Sequence, residues 1–224
     1  MDIVPGVHFI SGTVANPYLI IDSDGLTLID TGLPGSDKKI VKYIAGLGRS
    51  PGEVKRIIIT HADIDHVGGL AVLKAVTRAR VYANATEAAA IAAGRSSREL
   101  KPSNPLLKLL FAITGRLFKA APVQVDEFLT DGQVLPVLGG LRVVETFGHT
   151  PGHISLFAPS AGILFVGDSI VSDKTGLRGS TGAGTWNQSK ADEAVRKQAA
   201  LGARIVCSGH GPVVMDAGDK FPQI

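Results

Sequence analysis

The segment Thr60-His61-Ala62-Asp63-Ile64-Asp65-His66-Val67-Gly68-Gly69 limits what this chain can be more than any other stretch. It follows Ile57-Ile58-Ile59, a β-branched apolar run that predicts a buried strand. Two imidazoles and two carboxylates therefore stand at a strand end, where irregular backbone can aim them at one point. If the segment stays extended, the side-chain period of two puts His61, Asp63 and Asp65 on one side and turns His66 away. Mixed nitrogen and oxygen donors suit zinc, iron or manganese better than calcium, which takes all-oxygen shells. A polar loop carrying two surface histidines is the bland alternative, so residues far along the chain must decide between them.

Punctuation by glycine and proline divides the rest into short elements. Strands are expected at Val7 to Ile10, Pro17 to Asp22 and Gly25 to Asp30, then a helix over Ser36 to Leu47 with apolar positions at Ile40, Val41, Ile44 and Leu47. Beyond the strand Arg56 to Thr60, helices are predicted at Gly69 to Val76 and Thr86 to Ala93, flanking a strand at Val81 to Ala83. Arg95 to Asn104 reads as a surface loop. Pro105 to Lys119 reads as an amphipathic helix, either facing the core or forming a lid over an apolar pocket. Strands return at Val123 to Phe128, Gln133 to Val137, Leu141 to Phe147, Ile154 to Ala158 and Gly162 to Val166. Ser172 to Asn187 shows no periodicity, and a helix over Ser189 to Leu201 precedes a last strand at Ala203 to Cys207. With no repeat or linker, residues 1–224 read as one α/β domain with a helical insert at 95–120.

Composition removes several functional classes. The net charge is only +3, and no Lys/Arg run is interleaved with aromatics, so nucleic-acid binding is not expected. No apolar run reaches the about 18 residues that cross a bilayer, and Met1-Asp2-Ile3-Val4-Pro5 lacks the start of a secretory signal. The single cysteine, Cys207, cannot form an internal disulfide; it sits in an apolar strand and reads as core. A cytoplasmic protein is the resulting expectation.

Three more sites place candidate ligands after predicted strands: His149 and His153 in Gly148-His149-Thr150-Pro151-Gly152-His153, Asp168 in Gly167-Asp168-Ser169, and His210 in Ser208-Gly209-His210-Gly211-Pro212. Each lies beside glycine, which permits tight turns at a sheet edge. Of the six histidines, His61, His66, His149 and His210 all take such positions. His8 reads as structural, His153 as a residue supporting the ligands, and Asp30 as either an orienter of a ligand or a helix cap.

These residues, in order and over essentially the whole chain, resemble the metallo-β-lactamase-fold hydrolase superfamily. Its Thr-His-x-His-x-Asp-His signature appears as Thr60 to His66, and Asp30-Thr31-Gly32, His149, Asp168 and His210 match its other marks. The resemblance implies a four-layer αββα sandwich with a two-metal site at one edge. It further implies that His61, Asp63 and His149 hold one divalent ion, that Asp65, His66 and His210 hold the other, and that Asp168 bridges. Zinc is the first expectation, with iron or manganese as alternatives. Asp65 is also the expected catalytic residue, orienting the nucleophile or passing a proton to the leaving group. One departure stands out: Asp63 occupies a position that is usually histidine. The added negative charge is expected to tilt the site toward iron or manganese, or to weaken one position.

Within that superfamily, a glutathione-binding helical domain is not expected from the fourteen residues after His210, and Asp168 stands where some zinc β-lactamases use cysteine. The expectation is a compact hydrolase of a small ester, lactone or thioester with an apolar acyl part, with weak β-lactamase activity as a possible accompaniment. The alternatives are a non-catalytic ligand-binding member with a degraded site, signalled by Asp63, and an iron-dependent sulfur dioxygenase.

Overall fold

Side-chain alternation along the strands sorts the apolar residues into three layers in the computed structural model, which describes residues 1–98 and 119–224. A seven-stranded sheet runs in chain order through β1 (Asp2–Val4), β2 (Val7–Phe9), β3 (Tyr18–Asp22), β4 (Gly25–Ile29), β5 (Val54–Ile58), β6 (Arg80–Asn84) and β7 (Glu127–Leu129). Strands β1 to β4 pair antiparallel, and β4 to β7 pair parallel. A second sheet has the order β15 (Val214–Met215), β14 (Ile205–Ser208), β11 (Ile163–Gly167), β10 (Ile154–Ala158), β9 (Leu141–Glu145), β8 (Val134–Leu135), in which β11 and β14 are parallel.

The two sheets meet face to face. Tyr18, Ile20, Ile29 and Ile58 of the first pack with Leu156, Ile163, Phe165 and Cys207 of the second. Their neighbours in sequence point outward, as a period of two requires. Leu19, Leu28 and Ile57 pack under α1 (Asp37–Gly46), α3 (Leu70–Thr77) and α4 (Ala85–Ala92) through Ile40, Ile44, Leu73 and Ile91. On the opposite outer face, Leu164, Val166 and Val206 pack with Val195 of α5 (Gln188–Ala199). Burying each of these large side chains contributes about 1.5–3 kcal/mol, so the layering is enforced by many separate residues. The result is the expected αββα sandwich. Among the described residues no helix is long and apolar enough to cross a membrane.

Several element boundaries differ from expectation. Of the predicted Val123 to Phe128 strand only Glu127 and Phe128 pair, in a strand that ends at Leu129, because the Asp126 carboxylate accepts the Val81 backbone N–H at 2.8 Å and forms an ion pair with Lys74, while Val123 turns into the helix-side layer. In the Gln133 to Val137 segment only Val134–Leu135 pairs, since the chain turns at Leu138 with φ of 50°. The stretch after Asp168, expected to be irregular, forms a hairpin of β12 (Ile170–Asp173) and β13 (Gly176–Gly179). All of the predicted helix Pro105 to Lys119 except Lys119, and most of the insert at 95–120, lie outside the described residues.

Candidate metal centre

The site is built where the parallel strands of both sheets end. After β4, Asp30 adopts φ of 57°, uncommon for a residue with a Cβ, and its carboxylate turns to the neighbouring strand. It accepts the Thr60 backbone N–H at 2.9 Å and the Thr60 hydroxyl at 2.8 Å, and it lies 2.8 Å from His66 Nδ1. Of the two roles open to Asp30, orienting a ligand is the one its contacts support.

The chain after β5 does not stay extended. It runs out to Asp63 (φ −70°, ψ 145°) and then coils into one helical turn, α2 (Ile64–Val67). That turn corrects the expected orientation of His66, because one helical step swings it back to the same centre as His61 and Asp63. The tight return is possible because a Cβ at Gly68 would stand 2.3 Å from Pro34, and one at Gly69 would stand 2.6 Å from the Thr31 carbonyl oxygen.

Asp168, just beyond β11, is the centre of the arrangement. Its Oδ2 lies 4.0 Å from His61 Nε2, 3.7 Å from His149 Nε2 and 3.3 Å from His210 Nε2, and its Oδ1 lies 3.3 Å from His66 Nε2. To one side, Asp63 Oδ2 is 3.6 Å from His61 Nε2 and 3.3 Å from His149 Nε2. To the other, Asp65 Oδ2 is 3.1 Å from His210 Nε2. Within each of the groups His61-Asp63-His149, Asp65-His66-His210 and His61-His66-Asp168, the donor atoms lie within 4.8 Å of one another. All seven residues singled out from the sequence come together.

The rings are held from behind. His61 Nδ1 lies 3.0 Å from the Thr60 hydroxyl, and His149 Nδ1 lies 2.9 Å from that of Ser180. With His66 Nδ1 on Asp30, each ring turns Nε2 inward. His153, at 0% exposure, accepts the Asp168 backbone N–H on Nε2 at 3.1 Å and lies 2.8 Å from the Thr146 hydroxyl through Nδ1. It therefore supports the carboxylate at the centre, as expected of it. Cys207 is buried in β14, where burial pushes its thiol pKa up. His8 is buried in β2, with Nδ1 2.7 Å from Asp2 Oδ1.

A divalent ion suits this donor set. His61 Nε2, His66 Nε2, His149 Nε2 and Asp168 Oδ1 are buried and have no hydrogen-bond partner among the described residues. Leaving such atoms unsatisfied costs about 1–3 kcal/mol each, and imidazole nitrogen with carboxylate oxygen is the donor chemistry of zinc, iron and manganese sites. Burial opposes ionisation of Asp63, Asp65 and Asp168, yet hydrogen bonds and electrostatic attraction from the surrounding histidines, with Arg98 beside Asp63, outweigh it and hold all three carboxyls below the usual range. Burial likewise opposes a proton on His66, but Asp168 and Asp30 outweigh it and raise its pKa. The bonds of His210 to Asp168 and Asp65 lift its pKa to about 10. His149 is shifted down, chiefly by burial. The same carboxylates that favour a proton on His66 and His210 would favour a metal cation in its place.

Four contributors escaped the sequence reading. Glu87, at 0% exposure in α4, accepts the Ala62 N–H on one oxygen and, on the other, the Gly152 N–H and the hydroxyls of Ser97 and Thr150. It pins the loops carrying His61 and His149 together. Ser180, at the end of the hairpin, holds His149. Ser96 and Arg98 were expected on a surface loop and instead bind Asp63.

Similarity to known proteins points the same way. A sequence profile described as the metallo-beta-lactamase superfamily matches residues 10–210. A Bacillus subtilis protein named as a probable metallo-hydrolase, YflN, is 28% identical over 225 residues, covering 92% of this chain and 84% of its own length. A hydroxyacylglutathione hydrolase of Cereibacter sphaeroides is 29% identical over 160 residues, spanning 70% of this chain but 48% of that enzyme. In fold, the chain is similar to a metallo-beta-lactamase family protein of Thermus thermophilus, with a TM-score of 0.76 at 24% identity, covering 98% of this chain and 78% of that one.

Proposed function

Since this chain belongs to the metallo-beta-lactamase superfamily, we propose that it is a metal-dependent hydrolase of a small ester, lactone or thioester, working through two divalent ions. The observation that carries this reading is the convergence of His61, Asp63 and His149 on one side of Asp168, and of Asp65, His66 and His210 on the other. In the proposal those two sets hold the ions and Asp168 lies between them. When bound, such ions supply an acidified water as nucleophile and a Lewis acid for the carbonyl oxygen.

The residues of the chain do the rest. Asp30, Thr60 and Ser180 fix the tautomers that leave Nε2 of His66, His61 and His149 free to bind. Asp65 is the most open of the three site carboxylates, at 24% side-chain exposure against 14% for Asp63 and 11% for Asp168. It is the one a substrate can approach. In this reading Asp65 takes the proton from the attacking water and returns it to the departing alkoxide or thiolate. The hydroxyacylglutathione hydrolase among the relatives favours a thioester within this class.

A panel of acyl lactones and acyl thioesters tests the proposal directly. Purified protein should hydrolyse at least one of them, and a chelator should stop it. Asp65→Ala should lower turnover by about 100- to 10,000-fold, the usual weight of a positioned acid–base group. Full activity in that variant, or in metal-stripped protein, contradicts the assignment.

A further inference from the structure

Asp63 does not stand alone in the site. The oxygen that faces His61 and His149, Oδ2, also lies 2.5 Å from an Arg98 Nη2. Its other oxygen accepts the Ser96 hydroxyl at 2.6 Å. The Arg98 side chain is only 9% exposed, and its second terminal nitrogen donates to the Gly184 carbonyl oxygen. The Arg98 backbone N–H reaches Ser96 Oγ at 3.3 Å, and Ser97 between them donates to Glu87 at 2.8 Å. Three consecutive residues are thus fastened across the wall of the pocket, and their fork-shaped cation is spent on the one carboxylate that stands where a neutral imidazole is usual.

We propose that Arg98 cancels the charge of Asp63, so that the pair acts toward a metal ion as a single neutral ligand and sets which ion the first site prefers. This rests on the metal-centre reading above. A lone aspartate beside His61 and His149 is a hard, anionic donor and raises the relative affinity for hard ions such as manganese. A guanidinium on the same oxygen neutralises that charge and draws electron density from it, leaving a donor closer to imidazole. The preference for iron or manganese expected from Asp63 alone is thereby reversed in favour of zinc. Arg98 is a positioning residue in this account and need not touch substrate.

Titrating metal-stripped protein with zinc and with manganese, by chelator competition, reads the effect without turnover. Wild type should prefer zinc at both steps. Arg98→Met should lower the zinc-to-manganese affinity ratio of the first site by about 10-fold or more, as expected for an uncompensated charge at contact distance. Arg98→Lys gives up the bond to Gly184 but keeps the charge beside Asp63, and should stay within about threefold of wild type. A ratio unchanged in Arg98→Met overturns the proposal, as does Arg98→Lys shifting as far as Arg98→Met. If Arg98→Met yields too little folded protein, Asp63→Asn carries the test. With Arg98 unbalanced, zinc should bind that variant about 100-fold more weakly, and Asp63→Asn with Arg98→Met should recover about 10-fold of the loss. No recovery in that double variant overturns the proposal too. Wild type that binds neither ion overturns the hydrolase reading along with it, whereas wild type that binds zinc beside an indifferent Arg98→Met removes only the role of Arg98.

Discussion

Glu87 accepts the backbone N–H of Ala62 at 2.8 Å, and through that one bond a helix on the outer layer fixes the loop that carries His61 and Asp63. The same carboxylate takes three more donors, from Ser97, Thr150 and Gly152. Glu87→Gln replaces one acceptor oxygen by an NH₂ that must face a donor. We expect it to lose about 2–4 kcal/mol of stability in urea unfolding and to retain metal about 10- to 100-fold less tightly. Unchanged values in both would show the network to be slack.

The Asp30 carboxylate receives Thr60 and faces His66 Nδ1, so Asp30→Asn must present its amide nitrogen to one of them. Metal affinity should drop about 10- to 100-fold, and more for the ion on the His66 side. Stepwise chelator competition separates the two sides.

Gly209 forms part of the pocket wall with bare backbone. A Cβ there would stand 2.2 Å from Asp168 Oδ1 and 2.7 Å from His66 Cε1. Gly209→Ala should therefore displace Asp168 and reduce bound metal, measured by elemental analysis, by about 10-fold or more. Full metal content would mean that Asp168 has room to move.

The stability of metal-free protein should fall with rising pH above neutrality. The folded pKa of His66 and that of His210, about 10, both lie above the ordinary 6.5, so their contribution is complete below pH 6.5 and is lost as pH climbs through those values. Asp63 and Asp168 have depressed pKa values, and their contribution is lost only in acid, as pH falls from 3.8 downward. Metal-loaded protein should show the opposite trend near neutrality, because ions require the histidines deprotonated. Calorimetric Tm between pH 6.5 and 10, with and without metal, should give slopes of opposite sign.

The candidate ligands were legible because they follow apolar strands, four of them packed into the run His61 to His66 and His149, Asp168 and His210 each beside glycine. Their helpers were hidden. Glu87 is one carboxylate in the alanine-rich Ala85–Ala92, a pattern shared by solvent-facing helices, and its partners lie as far away as Gly152. Ser96 and Arg98 have loop composition, and only the fold brings them to Asp63. The hairpin Ile170–Asp173 with Gly176–Gly179 lacks clean alternation, so its terminal neighbour Ser180 carried no mark of its place behind His149. His66 was aimed wrongly because strand geometry was carried past Asp63 as far as His66, although α2 begins at Ile64.

His61 and His66 follow a strand of one sheet, whereas Asp168 and His210 follow strands of the other. A cation gripped from both would work as a rivet through the sandwich, resisting any sliding of one leaf over its mate. Occupancy would then govern how long the folded chain survives heat or proteolysis, and cells short of metal would hold a softer molecule as well as an idle one.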